Sequence, residues 1–328
     1  MWGGRFIARV AKAIAMPSSP HANPSQDERA ANDYVSRNSD ARMPPGSWDS
    51  HIHVMDPGRY PPDPKIPYTP GTYTVWDNAI FENSIGCDHV LLVQTATHGH
   101  DNTLMLDSLR ACGTSRALGI ALFDPKETAK AQLDEWNKLG VRGVRVNLVT
   151  YNDEVSIADL RAQLNDYADL IRPLEWVLQL FVRMEMISAL EEFLPSLGVK
   201  VVFDHYGDPE IPEPSCPHTE VDLYSIAGFG ALVRLLKGGN TWVKISGAYR
   251  LTRLSLATCD DVDSMTLELF REAPTQLVFG SDWPHVRFDG FDITPWVHHL
   301  LDLTDGNQEM RERLFRDNAR VLWGVENV

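Results

Sequence analysis

Gln276-Leu277-Val278-Phe279-Gly280-Ser281-Asp282-Trp283-Pro284-His285 is the stretch of this chain that decides its fold. An apolar run of Leu277, Val278 and Phe279 is broken by Gly-Ser-Asp just before a proline. Pro284 has no N–H for a sheet ladder and biases its predecessor away from helix, so the run reads as a strand that ends here. Asp282 then stands at the C-terminal tip of a buried strand, which in a barrel of parallel strands is the active-site rim. Taken alone, an acid in this setting reads as a turn or helix-capping residue. A second stretch far upstream, Trp48-Asp49-Ser50-His51-Ile52-His53, changes that if the intervening chain brings the two together.

The intervening chain alternates short β-rich runs with helical patterns. The expected strands are 47–54, 89–95, 117–123, 141–148, 176–182, 200–206, 241–248 and 276–282. Most are continuous apolar runs, as parallel strands covered on both faces require. Helices are expected over 74–86, 101–112, 156–171, 185–197, 221–237, 261–273, 292–303 and 307–322. A further helix should open at the Asp124-Pro125 cap and end at Gly140. Eight strands alternating with helices predict a (β/α)8 TIM barrel, in the α/β class, as a single domain. The length of 328 residues suits one such barrel of about 250 residues plus insertions. No Gly-x-Gly-x-x-Gly follows the first strand, which weighs against a dinucleotide-binding sheet. Proline-rich insertions follow strand one (Pro57 to Pro70) and strand six (Asp208 to Pro217), where barrel loops build binding sites.

Composition excludes other classes. A formal net charge of −15, with no concentrated basic stretch in the folded portion, argues against a nucleic-acid surface. No run of 18 or more apolar residues exists to span a membrane. Cys87, Cys112, Cys216 and Cys259 are scattered without a Cys-x-x-Cys pair, which fits free thiols in a reducing, cytoplasmic setting and no cysteine zinc site. Residues 1–26 lack Asp and Glu but carry Arg5, Arg9 and Lys12, so they read either as a disordered extension or as a mitochondrial-matrix targeting peptide. Residues 1–44 are expected outside the fold and 45–328 within it. The sequence does not indicate an oligomeric state.

The chemistry-bearing residues gather at the expected strand ends. His51 and His53 are two apart on a strand and share a face. Strand six offers Asp204 and His205, of which one should face inward; His205, nearer the tip, is the better choice. On strand four Arg145 and Asn147 share a face, where a guanidinium could clamp a carboxylate or pair with a barrel-mouth acid. Arg250, in the loop after strand seven, is a second candidate anion ligand, with Arg253 the weaker choice. Gln94 and Thr95 close strand two, and either orient substrate or cap the next helix.

These residues resemble the amidohydrolase superfamily, specifically its amidohydrolase-related branch. The resemblance rests on Asp49-Ser50-His51-Ile52-His53, Asp204-His205-Tyr206-Gly207, Gly280-Ser281-Asp282-Trp283-Pro284-His285 and the tail Asn318-Ala319-Arg320-Val321-Leu322-Trp323-Gly324, and spans about 47–324. Within the branch the chain looks most like the 2-pyrone-4,6-dicarboxylate hydrolases and their lactonase relatives, through 142–147, 246–251 and Gly99-His100-Asp101-Asn102. The resemblance implies hydrolysis of a carboxylated lactone or pyrone. Asp282 would be general base on a water, and His51, His53 and His205 would polarise the carbonyl and stabilise the oxyanion. Arg145 and Arg250 would hold carboxylates, with Thr95 and Asn147 beside them. Tyr151 stands about where the family carries a second strand-four arginine, which departs from the dicarboxylate pattern. Strand five lacks the histidine of many superfamily metal sites and strand four offers arginine, so a metal-free site is the preferred expectation. If one zinc ion is present, its ligands are His51, His53, His205 and Asp282. The alternatives are a metal-dependent decarboxylase of an aromatic or muconate-type acid, and a barrel that binds a ligand without turning it over.

Overall fold

The computed structural model describes residues 40–63, 70–150, 155–212, 221–288 and 290–325. Eight parallel strands follow one another around a single sheet in sequence order. They are β1 Trp48–Ile52, β2 His89–Val93, β3 Ala117–Ala121, β4 Val141–Asn147, β5 Val177–Phe181, β6 Val201–Phe203, β7 Thr241–Ile245 and β8 Leu277–Phe279. The barrel closes just beyond the last strand. Ile52 bridges to Trp283 in parallel; the Asp282 amide donates to the His51 carbonyl at 2.9 Å and the His53 amide to the Trp283 carbonyl at 2.8 Å. This seam carries both ends of the expected site. The (β/α)8 barrel expected from the alternation is the observed fold.

Side-chain alternation sorts the strands into two layers. One set, including Val90, Leu92, Val144, Val146, Val243, Ile245, Leu277 and Phe279, packs with the helices. The other set, Leu91, Val93, Leu118, Ile120, Val177, Val202, Trp242 and Val278, forms a second cluster with Leu322 and Trp323. Those two residues belong to the last helix, Asn318–Trp323, which sits at the N-terminal end of the strands, where Lys200 Nζ donates to the Leu322 carbonyl at 3.3 Å. Trp323 plugs the interior from below, and its Nε1 donates to Ser50 Oγ at 3.2 Å.

The first helix among the described residues, α1, spans Val75–Ile85 and starts at a capping box in which Thr74 and Asp77 satisfy each other's backbone amides. It ends at Gly86, whose φ of 86° is the left-handed cap that glycine adopts at no steric cost. Three expectations need correction. The helix foreseen from Asp124 is α3, Lys130–Leu139, after α2 at Thr103–Cys112. Asp124 instead caps its own turn, accepting the Lys126 amide at 2.8 Å, and Ala129 is extended, which separates turn from helix. The helices foreseen over 185–197, 221–237 and 261–273 each divide into a 3-10 turn and an α-helix. For the second of these, the break falls at Gly228, with φ 91°. Strand six stops at Phe203 because His205 and Tyr206 adopt φ of 49° and 58°.

Residues 40–44, assigned to the extension, pack on the barrel: Met43 is buried, and Arg42 Nη1 lies 2.6 Å from Asp302. Residues 1–39, much of both proline-rich insertions, Tyr151 and Cys216 lie outside the described residues. Among the described residues no helix is long and apolar enough to cross a membrane.

Candidate active site

His51 lies within β1 and His53 one residue beyond it, so the two rings project from one face to the C-terminal mouth of the barrel. His53 Nδ1 sits 2.8 Å from the Val93 carbonyl. A carbonyl only accepts, so Nδ1 carries the proton and Nε2 presents a lone pair. His51 Nδ1 lies 3.3 Å from both Asp204 Oδ1, an acceptor, and Lys244 Nζ, a donor, and its Nε2 lies 3.3 Å from His53 Nε2, so its contacts admit either tautomer. His205 Nδ1 lies 2.9 Å from Ser246 Oγ, a group able to donate or accept. Asp282 Oδ1 stands 3.6 Å from His51 Nε2, 3.7 Å from His53 Nε2 and 3.8 Å from His205 Nε2. That oxygen is buried with no hydrogen-bond partner among the described residues. Three imidazoles and a carboxylate therefore converge on one point from β1, β6 and β8. Burial pushes His53 and His205 down to about 4 and holds His51 well below its ordinary value, so all three are neutral at pH 7.

The other oxygen of Asp282 is held firmly. Oδ2 accepts from Tyr249 Oη at 2.6 Å and from Arg250 Nε at 2.8 Å. Burial pushes this carboxyl up, but its surroundings, Arg250 first, together outweigh burial and leave the group well below the usual carboxylate range. Burial, then the Asp282 charge, raises Tyr249 well above its ordinary value, so it stays a donor. Tyr249 and Arg250 come from a short helix after β7, Ala248–Leu251, that begins at Gly247. Gly247 has φ 65°, and a Cβ there would come within 2.7 Å of His205 Nδ1. At Gly280 a Cβ would meet that of His51 at 2.8 Å. Glycines at both places let the catalytic elements approach closely.

Beneath His51 lies a buried charged layer. Asp204 Oδ2 accepts from Arg145 Nε at 2.9 Å, and Gln179 Nε2 reaches Oδ1 at 2.8 Å. Lys244 Nζ is 3.3 Å from Asp204 Oδ1, 2.8 Å from Gln179 Oε1, 3.3 Å from His51 Nδ1 and 5.7 Å above the Trp323 ring. Burial brings the Lys244 ammonium down to about 8. Asp204 and His205 both face inward, although strict strand alternation allows only one to do so. The left-handed backbone at His205 turns its ring back over the residue before it.

Above the histidines opens a cavity of about 200 Å³, whose lining includes His53, Thr95, Arg145, Phe181, His205, Arg250, Asp282 and Arg287. Arg145 lies over the Phe181 ring at 5.1 Å, and its charge is matched by Asp204. Thr95 caps the turn after β2, its hydroxyl paired with that of Thr97. Asn147 turns to its own loop, donating to Thr150 Oγ1 at 2.9 Å and accepting the Thr150 amide at 3.0 Å. Arg253 lines a neighbouring groove with Arg183 and Asp208. Tyr151 lies outside the described residues.

Tyr249, Lys244, Gln179, Ser246 and Arg287 escaped the sequence reading. For Gln179, Lys244 and Ser246 a signal existed: each is two residues from an inward-facing neighbour on its strand. The donor set also fits a divalent cation. Donor atoms of His51, His205 and Asp282 lie within 4.8 Å of one another, the carboxylate oxygen is unpartnered, and the His53 imidazole directs its Nε2 lone pair at the same point.

The Amidohydrolase family model matches residues 48–325. A 4-sulfomuconolactone hydrolase of Hydrogenophaga intermedia is 31% identical over 290 residues, covering 86% of this chain and 90% of that one. A 2-pyrone-4,6-dicarboxylate hydrolase of Comamonas testosteroni is 27% identical over 301 residues, 88% and 93% of the two chains. An amidohydrolase from Burkholderia multivorans, solved with bound zinc, shares the fold at a TM-score of 0.64 and 22% identity, covering 85% of this chain and 99% of that one. With the match running from the first strand to the last helix, the chain belongs to the amidohydrolase family.

Proposed function

We propose that the protein is a hydrolase that opens a carboxylated lactone or 2-pyrone ring, with Asp282 taking the proton of the attacking water. The observation that carries this reading is the unpartnered Asp282 Oδ1, ringed by three neutral imidazoles at the floor of a cavity bordered by Arg145, Arg250 and Arg287. The hydrolases of sulfomuconolactone and pyrone dicarboxylate among the relatives support it. Guanidiniums at the cavity wall hold the substrate's carboxylate and fix the ring above the histidines. Tyr249 and Arg250 clamp Oδ2, so Oδ1 alone is presented to water, at a fixed angle. After the ring C–O bond breaks, Asp282 returns its proton to the departing oxygen.

The His53 tautomer favours a cation in this site over the metal-free arrangement expected from sequence. Without a metal, the oxyanion needs N–H donors. His53 directs its lone pair inward while its Nδ1 serves Val93. The inward arginine that argued against a metal is paired with Asp204. His51, His53, His205 and Asp282 would hold the ion, which supplies Lewis-acid polarisation of the ester carbonyl and makes water easier to deprotonate. Strand five, with Gln179 as its inward polar residue, carries no histidine, which the alternative decarboxylases would need. Turnover of carboxylated pyrones and muconolactones, followed by ultraviolet absorbance with metal content measured in parallel, tests both parts. Chelation should remove turnover and zinc restore it. Full activity in metal-stripped protein would sink the cation reading and leave the lactonase reading standing, whereas no turnover of any lactone by metal-loaded protein would sink the latter.

A further inference from the structure

Asp282 Oδ2 is held by two donors, Tyr249 Oη and Arg250 Nε, and neither is fixed by its own element. Both belong to the four-residue helix Ala248–Leu251, a single turn too short to hold its own conformation. Tyr249 is buried, but the Arg250 side chain is 33% exposed on a long stem with many rotamers. What restrains the pair comes from a different loop, the one that leaves β8 and bears Asp282 itself.

That loop advances in hydrogen-bonded turns of three residues. The His285 amide donates to the Asp282 carbonyl at 3.0 Å, the Phe288 amide to the His285 carbonyl at 2.9 Å, and the Phe291 amide to the Phe288 carbonyl at 2.9 Å. The repeat sets three rings after the acid, and all three meet Tyr249. His285 stands edge-on to it at 5.3 Å, Phe288 edge-on at 4.8 Å, and Phe291 tilted at 5.0 Å. Phe288 reaches the second donor as well: the Arg250 guanidinium lies 6.0 Å from its ring centre and 5.2 Å from that of Tyr249. Edge-to-face rings and a cation over a ring are directional contacts, so they restrict angle as well as position. The His285 Nε2 is buried without a hydrogen-bond partner among the described residues, so this end of the imidazole enters the cluster as a ring edge.

We infer that Phe288 is a positioning residue for the reaction proposed above. With His285 and Phe291 it clasps Tyr249, and with Tyr249 it backs Arg250, so that both donors point at Asp282 Oδ2 and Oδ1 is left to face water. The catalytic half of this inference rests on the lactonase reading; the clasp itself does not.

Ultraviolet resonance Raman spectra read the Tyr249 hydroxyl without turnover, because the tyrosine ring doublet changes its intensity ratio with hydrogen-bond donation. Subtracting the matching Tyr249→Phe spectrum isolates this residue among the nine tyrosines. The wild type should give a strong donor, and Phe288→Leu should weaken it. Phe288 is half-buried, so the fold should survive its loss. An unchanged donor signal in Phe288→Leu overturns the inference, whatever the lactone assays give. In turnover assays Phe288→Leu should lose kcat by about fivefold or more, and Phe288→Tyr, which keeps the ring, by less than about twofold. In an Asp282→Asn background no base is left to aim, and Phe288→Leu should change residual turnover by less than about twofold. Equal losses in both backgrounds, or no loss in folded Phe288→Leu, would leave Phe288 without its positioning role. No lactone turnover by the wild type would sink the lactonase reading and leave the spectral result to decide the clasp. If Phe288→Leu fails to fold, Phe291→Leu, which removes the ring 5.0 Å from Tyr249, takes its place in both measurements.

Discussion

Replacing Asp282 with asparagine separates the chemistry of the site from its architecture. The amide oxygen can take the place of Oδ2 and still accept from Tyr249 and Arg250, whose bonds to it measure 2.6 and 2.8 Å. The amide nitrogen then falls where Oδ1 stands, facing three Nε2 atoms 3.6 to 3.8 Å away. His53 Nε2 presents a lone pair, so a new N–H group meets an acceptor and the packing survives. The loss is a base and an anionic donor. General-base catalysis is worth about 10²–10⁴-fold, so kcat should fall by about that factor or more. KM should change little, because the wall arginines remain. The folded state should stay within about 1 kcal/mol of wild type by chemical denaturation, since no large group is removed and the hydrogen bonds are replaced. Metal content should fall in parallel. Steady-state turnover of a carboxylated pyrone, with denaturation curves on the same preparations, measures all of this. A variant that folds normally and turns over within a factor of about ten of wild type would refute the role given to Asp282.

Tyr249→Phe removes one hydrogen bond to the Asp282 anion, worth about 1.5–3 kcal/mol. Its pKa should rise by about one to two units, and because the base must be ionised, the acid limb of kcat/KM should move to higher pH by that amount. An unmoved limb in the pH–rate profile would show that the tyrosine does not set this base. Arg287→Met should raise KM for a carboxylated lactone by about tenfold or more, with little effect on an uncharged lactone; equal effects on both would remove it from anion binding. Gly280→Ala places a methyl group 2.8 Å from the His51 Cβ. Overpacking of that kind costs about 1–3 kcal/mol, and a variant with unchanged denaturation midpoint and kcat would show that the seam yields freely.

The barrel was legible because most strands are short apolar runs buried on both faces, spaced by helical patterns. The end-of-strand residues were legible for a related reason: His51, His53 and Asp282 interrupt apolar runs where a buried strand has no structural need of them. Lys244 and Gln179 were hidden because a polar residue within a strand declares its face only once its neighbours' register is known. Asp204 and His205 both point inward through a left-handed backbone at a histidine, and no residue type in that motif announces such a turn. Tyr249 comes from a short helix and Arg287 from a turn, and the course of both depends on the packed barrel. The turn at Asp124 mimicked a helix start because Asp-Pro caps either structure equally well.

Because the seam between β1 and the end of β8 is where His51, His53 and Asp282 meet, the groups nearest the chemistry come from opposite ends of the polypeptide. A growing chain on the ribosome owns its histidines early yet has no acid to set against them until β8 and Asp282 have been made. Under the proposed mechanism reactivity therefore waits on the closing of the barrel, and a product cut between β7 and Asp282 would carry the histidines without their base. Permuting the gene so that these two segments adjoin in sequence would uncouple that timing while leaving the finished barrel the same.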